Sequence, residues 1–289
     1  MDHPAVDLLK SLMSMVSTSE LEQDIGIFLE RHLQGLGYTV ERIAIAPGST
    51  RHNVYAYLGS SRQTRILLTA HMDTVPPHIP LTVDGDVLRG RGSSDDLGPL
   101  AAQIVAAEEL RKEGQVREEG GDIGLLFVVG EENGGHGMIA ANDMGLTWES
   151  GIFAEPTENR LAKGHKGQHN IVAPSAKALC EVRMVSDLPG IKKRLEEIVA
   201  RHENVELQFV FEYPEALLEW EIEGFDAAPV AFGTDIPRLR AEYCANRVLY
   251  GPGSILVAHG PDEFIRIPDL ISSVSGYKRL VLHFLQKSQ

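Results

Sequence analysis

Residues 122–130 read DIGLLFVVG, with no polar side chain anywhere from Ile123 to Val129. A strand with one face in water alternates apolar and polar residues, whereas a run apolar at every position is buried on both faces. At this length it cannot be a membrane span, which needs ~18 or more consecutive apolar residues. Shorter runs of the same kind recur: RILLTA (65–70), SGIFAEPTE (150–158) and SILVAHG (254–260). Between them lie segments with helical spacing, among them GPLAAQIVAAEELRKEG (98–114) and PDLISSVSGYKRLVLHFLQ (268–286). Such alternation predicts an α/β chain, a largely parallel sheet covered by helices on both faces.

The rest of the chain fits around that sheet. PAVDLLKSLMSMVS (4–17) has helical spacing with Pro4 in its first turn. A second helix is expected in 17–37, opened by a cap at Ser17 or Thr18 and closed on glycine. NVYAYL (53–58) and RILLTA read as strands around a GSSRQ turn, and HGMIAANDMG (136–145) as a short helix. From residue 176, AKALCEVRMV, GIKKRLEEIVARH and VELQFVFEY form a compact β-α-β unit with alternating strands.

A net charge of −14 repels a phosphate backbone, so nucleic acid and anionic membrane are excluded as partners. Two cysteines, Cys180 and Cys244, make no disulfide framework and read as buried thiols in a reducing compartment. The N-terminus carries early acids rather than a basic stretch followed by an apolar one, so a cytoplasmic protein is expected.

The polar residues at strand ends are where chemistry is expected. LLTAHMD puts His71 and Asp73 just past an apolar strand, on a shared face if the chain stays extended. Asp73 is then placed to hold one imidazole nitrogen and leave the other for a metal. Asp95 and Asp96 precede the 98–114 helix, where acids commonly serve as caps. GEEN supplies Glu131 and Glu132, FAEPTE supplies Glu155, and LVAHG supplies His259. In open α/β sheets, sites gather at the carboxyl ends of strands. Two histidines and three carboxylates there suit a pair of divalent metals sharing one carboxylate. A further carboxylate outside the ligand set would take the proton from water, and adjacent Glu131 and Glu132 offer one of each.

The pieces LLTAHMDTVPP, GRGSSDD, VVGEENGGHGM, FAEPTE, GHKG, GTDIP and GPGSILVAHGPDE, in this order between residues 65 and 263, resemble the M20 metallopeptidases. That group holds acetylornithine deacetylases, succinyl-diaminopimelate desuccinylases, aminoacylases and glutamate carboxypeptidases. The wording is closest to fungal acetylornithine-deacetylase-like members. The resemblance implies a three-layer α-β-α zinc-peptidase-like catalytic domain and two Zn²⁺ per chain, for which Co²⁺ or Mn²⁺ can substitute. It implies that His71, Asp95 and Glu155 bind one metal, with Asp95 bridging to a second held by Glu132 and His259. Asp73 would orient His71, and Glu131 would be the general base. The implied substrate is an N-acyl amino acid or a dipeptide, cut at an amide next to a free carboxylate.

The chain departs from that pattern in two places. Asp96 is followed by Leu97 and Gly98, where the family has a small or apolar residue, then lysine or another polar one, before glycine. After GHKG the chain passes from Gly167 to Asn170 with only Gln168 and His169 between, so the first half of the family's lid and dimerisation domain is missing. Residues 165–213 are then a shortened lid, with a β-α-β remnant from 176, and residues 1–164 and 214–289 the catalytic domain. The family's main dimer contact lies in the missing half, so a monomer or an atypical oligomer is expected. Two other readings compete with an active dinuclear amidohydrolase: a metal-binding chain of weak activity, and a single-metal aminopeptidase-like centre. His136, His169, Asp235 in GTDIP, and the glycines Gly251 and Gly253 are assigned no chemistry; Asp235 is expected in a loop bordering the pocket, and the glycines in a turn.

Overall fold

The computed structural model describes residues 2–117, 119, 121–163, 188–201, 218–230 and 232–287. Along the run that begins at Ile123, side chains divide strictly by parity. Leu125, Phe127 and Val129 enter one hydrophobic core, and Leu126 and Val128 enter a second on the other face. No position faces water, which is why the run carries no polar residue.

The main sheet is built from β1 (Thr39–Ala44), β2 (His52–Tyr57), β3 (Ile66–His71), β6 (Ile123–Val128), β7 (Trp148–Phe153) and β10 (Cys244–Leu249). Their spatial order is β1-β2-β6-β3-β7-β10. The four strands from β6 to β10 run parallel, and β2 joins them antiparallel, with β1 antiparallel outside it. The sheet is therefore α/β with a mixed edge. β2 and β3 flank the GSSRQ turn but do not pair, because β6 lies between them.

One face is covered by α1 (Pro4–Met13), α2 (Gln23–Gly35), α3 (Leu97–Lys112) and α6 (Ile267–Lys287). α3 is buried almost all round from Leu97 to Glu108, as its largely apolar first three turns require, with Gln103 and Glu108 the buried polar exceptions. The other face packs against α4 (His136–Ala141) and the segment carrying Phe232, Ile236 and Leu239. Small strands β4 (Thr82–Asp84), β5 (Val87–Arg89) and β11 (Phe264–Arg266) form a separate three-stranded sheet, and β8 (Leu161–Ala162) pairs with β9 (Ala227–Ala228).

Two local expectations are corrected. α2 begins at Gln23 rather than after Ser17 or Thr18, because Thr18 is held in a bridge to Thr74. SILVAHG is not a strand; residues 254–260 turn, and Leu256 is 86% exposed with no core to enter. Within residues 165–213, α5 (Leu188–Val199) forms where the helix was expected. The expected strands at 176–185 and 205–213 lie outside the described residues, as do Cys180, His165, Lys166 and His169. Among the described residues, no helix is long and apolar enough to cross a membrane.

Candidate metal centre

The polar ends of the parallel strands meet at one edge of the sheet. His71 is the last residue of β3, Glu131 and Glu132 follow β6, and Glu155 follows β7. Asp95 arrives from the loop before α3, and His259 from the turn after β10. His259 adopts a left-handed φ of 62°, and its ring reaches Asp95 and Glu132 from a turn rather than a strand end. Gly251 lets that chain pass close to β7: a Cβ there would stand 2.3 Å from the Glu155 carbonyl oxygen.

Asp95 is central. Its Oδ1 lies 2.9 Å from His71 Nε2, and its Oδ2 lies 3.1 Å from His259 Nε2. His259 Nε2 is also 3.0 Å from Glu132 Oε1. Among the described residues, three trios bring donor atoms within 4.8 Å of one another: His71, Asp95 and Glu155; Asp95, Glu132 and His259; and His71, Glu131 and Glu132. Asp95 belongs to two of them and Glu131 only to the third.

The acids push one another's proton affinities apart. Burial and the nearby charges of Asp95 and Glu131 drive Glu155 well above its usual range. Burial and the charge of Asp235 do the same for Glu131. Burial works to raise Asp95 too, but the hydrogen bonds with His259 and His71 hold it below the usual range. His259 is raised to about 10 by its bonds with Asp95 and Glu132. For His71, burial acts downward and is overcome by Asp95 and Asp96, so it is raised well above its usual value. A cluster of acids that attracts protons this strongly fits divalent cations, which neutralise the same charges, and its mixed imidazole and carboxylate donors suit zinc-type ions.

Asp73 is fully buried, but it does not hold the imidazole as expected. His71 Nδ1 meets the Asp73 carbonyl oxygen at 2.8 Å, whereas the carboxylate Oδ1 stands 3.7 Å away. The carboxylate instead accepts from the backbone N–H groups of Glu131 (3.1 Å) and Glu132 (3.3 Å) and from Ser19 Oγ (2.9 Å). It fixes the paired glutamates rather than the histidine. Asp73→Asn is accordingly expected to cost about 10–100-fold in activity while the first equivalent of metal still binds. Calorimetric metal titration checks this, and loss of the His71 position would restore the expected role.

Asp96 makes no side-chain cap on α3; its Oδ2 accepts from the His71 N–H at 3.2 Å, and its Oδ1 is buried without a partner. Asp235 also enters the site. It lines a cleft with His71, Glu131 and Glu155, over an apolar floor of Val128, Met138 and Phe153. Burial, opposed by His71 and reinforced by Asp73, pushes it up to about 7. His136 is exposed at the start of α4 and joins none of the trios.

The profile of Peptidase family M20/M25/M40 matches residues 67–283. An M20-domain protein of Schizosaccharomyces pombe is 35% identical over 343 residues, covering 97% of this chain and 85% of its own. A probable carboxypeptidase of Aspergillus clavatus is 31% identical over 374 residues, with 96% and 88% covered. Both alignments are longer than the 289-residue chain, so these relatives carry segments with no counterpart here. Among solved structures, a tripeptidase of Staphylococcus aureus superposes with a TM-score of 0.76 at 17% identity, covering 99% of this chain and 98% of that one. A Bacillus subtilis protein described as a dinuclear metal-binding M20 peptidase superposes at 0.67 and 13%, with 98% of each chain covered. These low-identity matches share the fold, and the profile and the yeast relative carry the assignment: the chain belongs to peptidase family M20/M25/M40 and is a metal-dependent peptidase or amidohydrolase.

Proposed function

We propose that the chain is a dinuclear amidohydrolase acting on N-acyl amino acids or short peptides, with Glu131 as its general base. In this reading His71, Asp95 and Glu155 hold one Zn²⁺, and Asp95, Glu132 and His259 hold the other. The observation that carries it is Asp95, whose two oxygens each face a different histidine nitrogen, at 2.9 and 3.1 Å. A carboxylate so placed between two imidazoles is suited to bridging.

When bound, such a pair supplies Lewis-acid polarisation of a carbonyl and acidifies a water molecule. The chain's own groups do the rest. Glu131 lies half-buried at the cleft and is left out of both proposed ligand trios. Its carboxylate takes the proton from the attacking water and returns it to the departing amine. Burial and the charge of Asp235 raise its proton affinity, and cations bound beside it would act in the opposite direction. Asp73 keeps the backbone of the two glutamates still, so base and ligand do not exchange places.

The test is metal analysis joined to a hydrolysis screen with acetylornithine, acetylmethionine and simple dipeptides. Two equivalents of metal and turnover of one of these classes are expected. One equivalent favours an aminopeptidase-like single centre, and bound metal with no turnover sinks the hydrolytic reading. A second reading, a metal-binding chain of weak activity, is favoured by the relatives' longer alignments, which are in keeping with a shortened lid at 165–213.

A further inference from the structure

Two motifs far apart in sequence are joined beneath the site by one buried ion pair. Arg91, in the loop before Asp95, is 3% exposed, and Glu263, four residues past His259, is 1% exposed. Arg91 Nη1 donates to Glu263 Oε2 at 2.7 Å. Glu263 Oε1 accepts from the backbone N–H groups of Ser94 (3.0 Å) and Asp95 (3.2 Å). The guanidinium also donates to the carbonyls of His259 (3.4 Å), Gly260 (3.2 Å) and Pro77 (3.3 Å). One end of the pair therefore grips the peptide that carries Asp95, and the other grips the turn that carries His259.

The start of that turn is held by backbone bonds to the Ser254 carbonyl and by Ser254 Oγ donating to Glu158, whereas the His259 and Gly260 carbonyls at its end are held by Arg91. His259 holds a left-handed φ of 62° and its side chain is 48% exposed. A conformation of that kind persists only where surrounding contacts over-determine it. The planar fork of arginine can reach several carbonyls and a carboxylate at once, which lysine cannot do. A buried pair of this sort is a weak source of net stability, because desolvation offsets most of its attraction. It is a strong source of geometry.

We propose that the Arg91–Glu263 pair is a positioning device that sets His259 against Asp95 and so governs the affinity of the second metal position separately from the first. This rests on the two-position reading given above. Arg91→Lys keeps the positive charge beside Glu263, and Glu263 keeps its hold on the Ser94 and Asp95 amides. What the variant loses is the reach to the His259 and Gly260 carbonyls. The His71–Asp95–Glu155 trio is untouched.

The experiment is a calorimetric titration of metal-stripped full-length protein with Zn²⁺, paired with Co²⁺ titration followed by its visible absorption. In Arg91→Lys the first equivalent is expected to bind as in wild type and the second about 10–100-fold more weakly. Glu263→Gln, which keeps an oxygen for the two amides but repels the guanidinium, gives the same split if Arg91→Lys does not fold. Leu33→Ala, a core change in α2 remote from the site, serves as control by lowering thermal stability without splitting the affinities. If both affinities fall together, or neither falls, the pair only supports the fold and the proposal is overturned. Wild type that takes up a single equivalent overturns the two-position reading itself, and it does so before any variant is compared.

Discussion

Glu131→Gln is expected to lower kcat by roughly 10²–10⁴-fold, the range a positioned general base contributes, with two metal equivalents still bound. Glutamine fills the same space beside Asp73 and Asp235 but cannot accept the proton of water. The backbone N–H of residue 131 still reaches the Asp73 carboxylate, so the loop stays as it is. KM should move little, since the lost interaction is made in the transition state rather than with bound substrate. Steady-state kinetics with inductively coupled plasma metal analysis on the same preparation separates the outcomes. A fall in metal content would make Glu131 a ligand, as the His71–Glu131–Glu132 trio allows. An unchanged kcat would remove it from the mechanism. A wild type so slow that the variant barely differs would favour the weak-activity reading.

The site was legible where polar residues interrupt apolar strands. His71, Glu131, Glu132 and Glu155 all stand where a run buried on both faces ends, and no solvated strand would put them there without a reason. His259 was legible as a member of the candidate site, and it does lie beside Asp95 and Glu132, but its setting was not legible. Ile255, Leu256 and Val257 look like a strand in one dimension, yet the glycines before them turn the chain and Leu256 points into solvent. Gly253, at φ 82°, also sits against Ser94, so the turn is fixed by a partner 159 residues away.

Roles proved harder to read than positions. Sequence spacing puts Asp73 next to His71 but cannot tell its carbonyl from its carboxylate, and here the carbonyl meets the ring. The Arg91–Glu263 pair was invisible for a similar reason. Each residue alone reads as a solvated charge in a turn, and only the fold brings 172 residues of separation down to 2.7 Å. Asp235 gave no periodic signal at all. Its importance lies in which acid it faces, and that follows from how its loop packs on Gly135 in the GEENGG turn, where a Cβ would come within 2.8 Å of its Oδ1.

Stripped of metal, the protein is expected to lose stability steadily as pH rises from about 4 to 8 and beyond, and to recover it on adding Zn²⁺. Unfolded, Asp235 titrates near 3.8; folded, it holds its proton up to about 7. Between those values the native state binds more protons than the unfolded one, so raising the pH favours unfolding. The gap corresponds to about 4 kcal/mol at most. Glu131, Glu155 and Asp96, all raised, act in the same direction. So does His259, whose stabilising contribution is complete below 6.5 and disappears as pH climbs through about 10. Asp95, which is lowered, contributes stability that is lost only as pH falls below 3.8, outside this window. Two bound cations replace the missing protons, so their stabilisation should grow with pH as the competing protons leave. Differential scanning calorimetry of chelator-treated and Zn²⁺-loaded protein at pH 5 and pH 8 reads this directly. The gap between the two midpoints should widen by on the order of 10 °C, given about 2–4 °C per kcal/mol for a chain approaching this size. A gap that is constant or narrows toward pH 8 would mean that these buried acids are not neutralised by the metals, and the cluster would have to be explained without them.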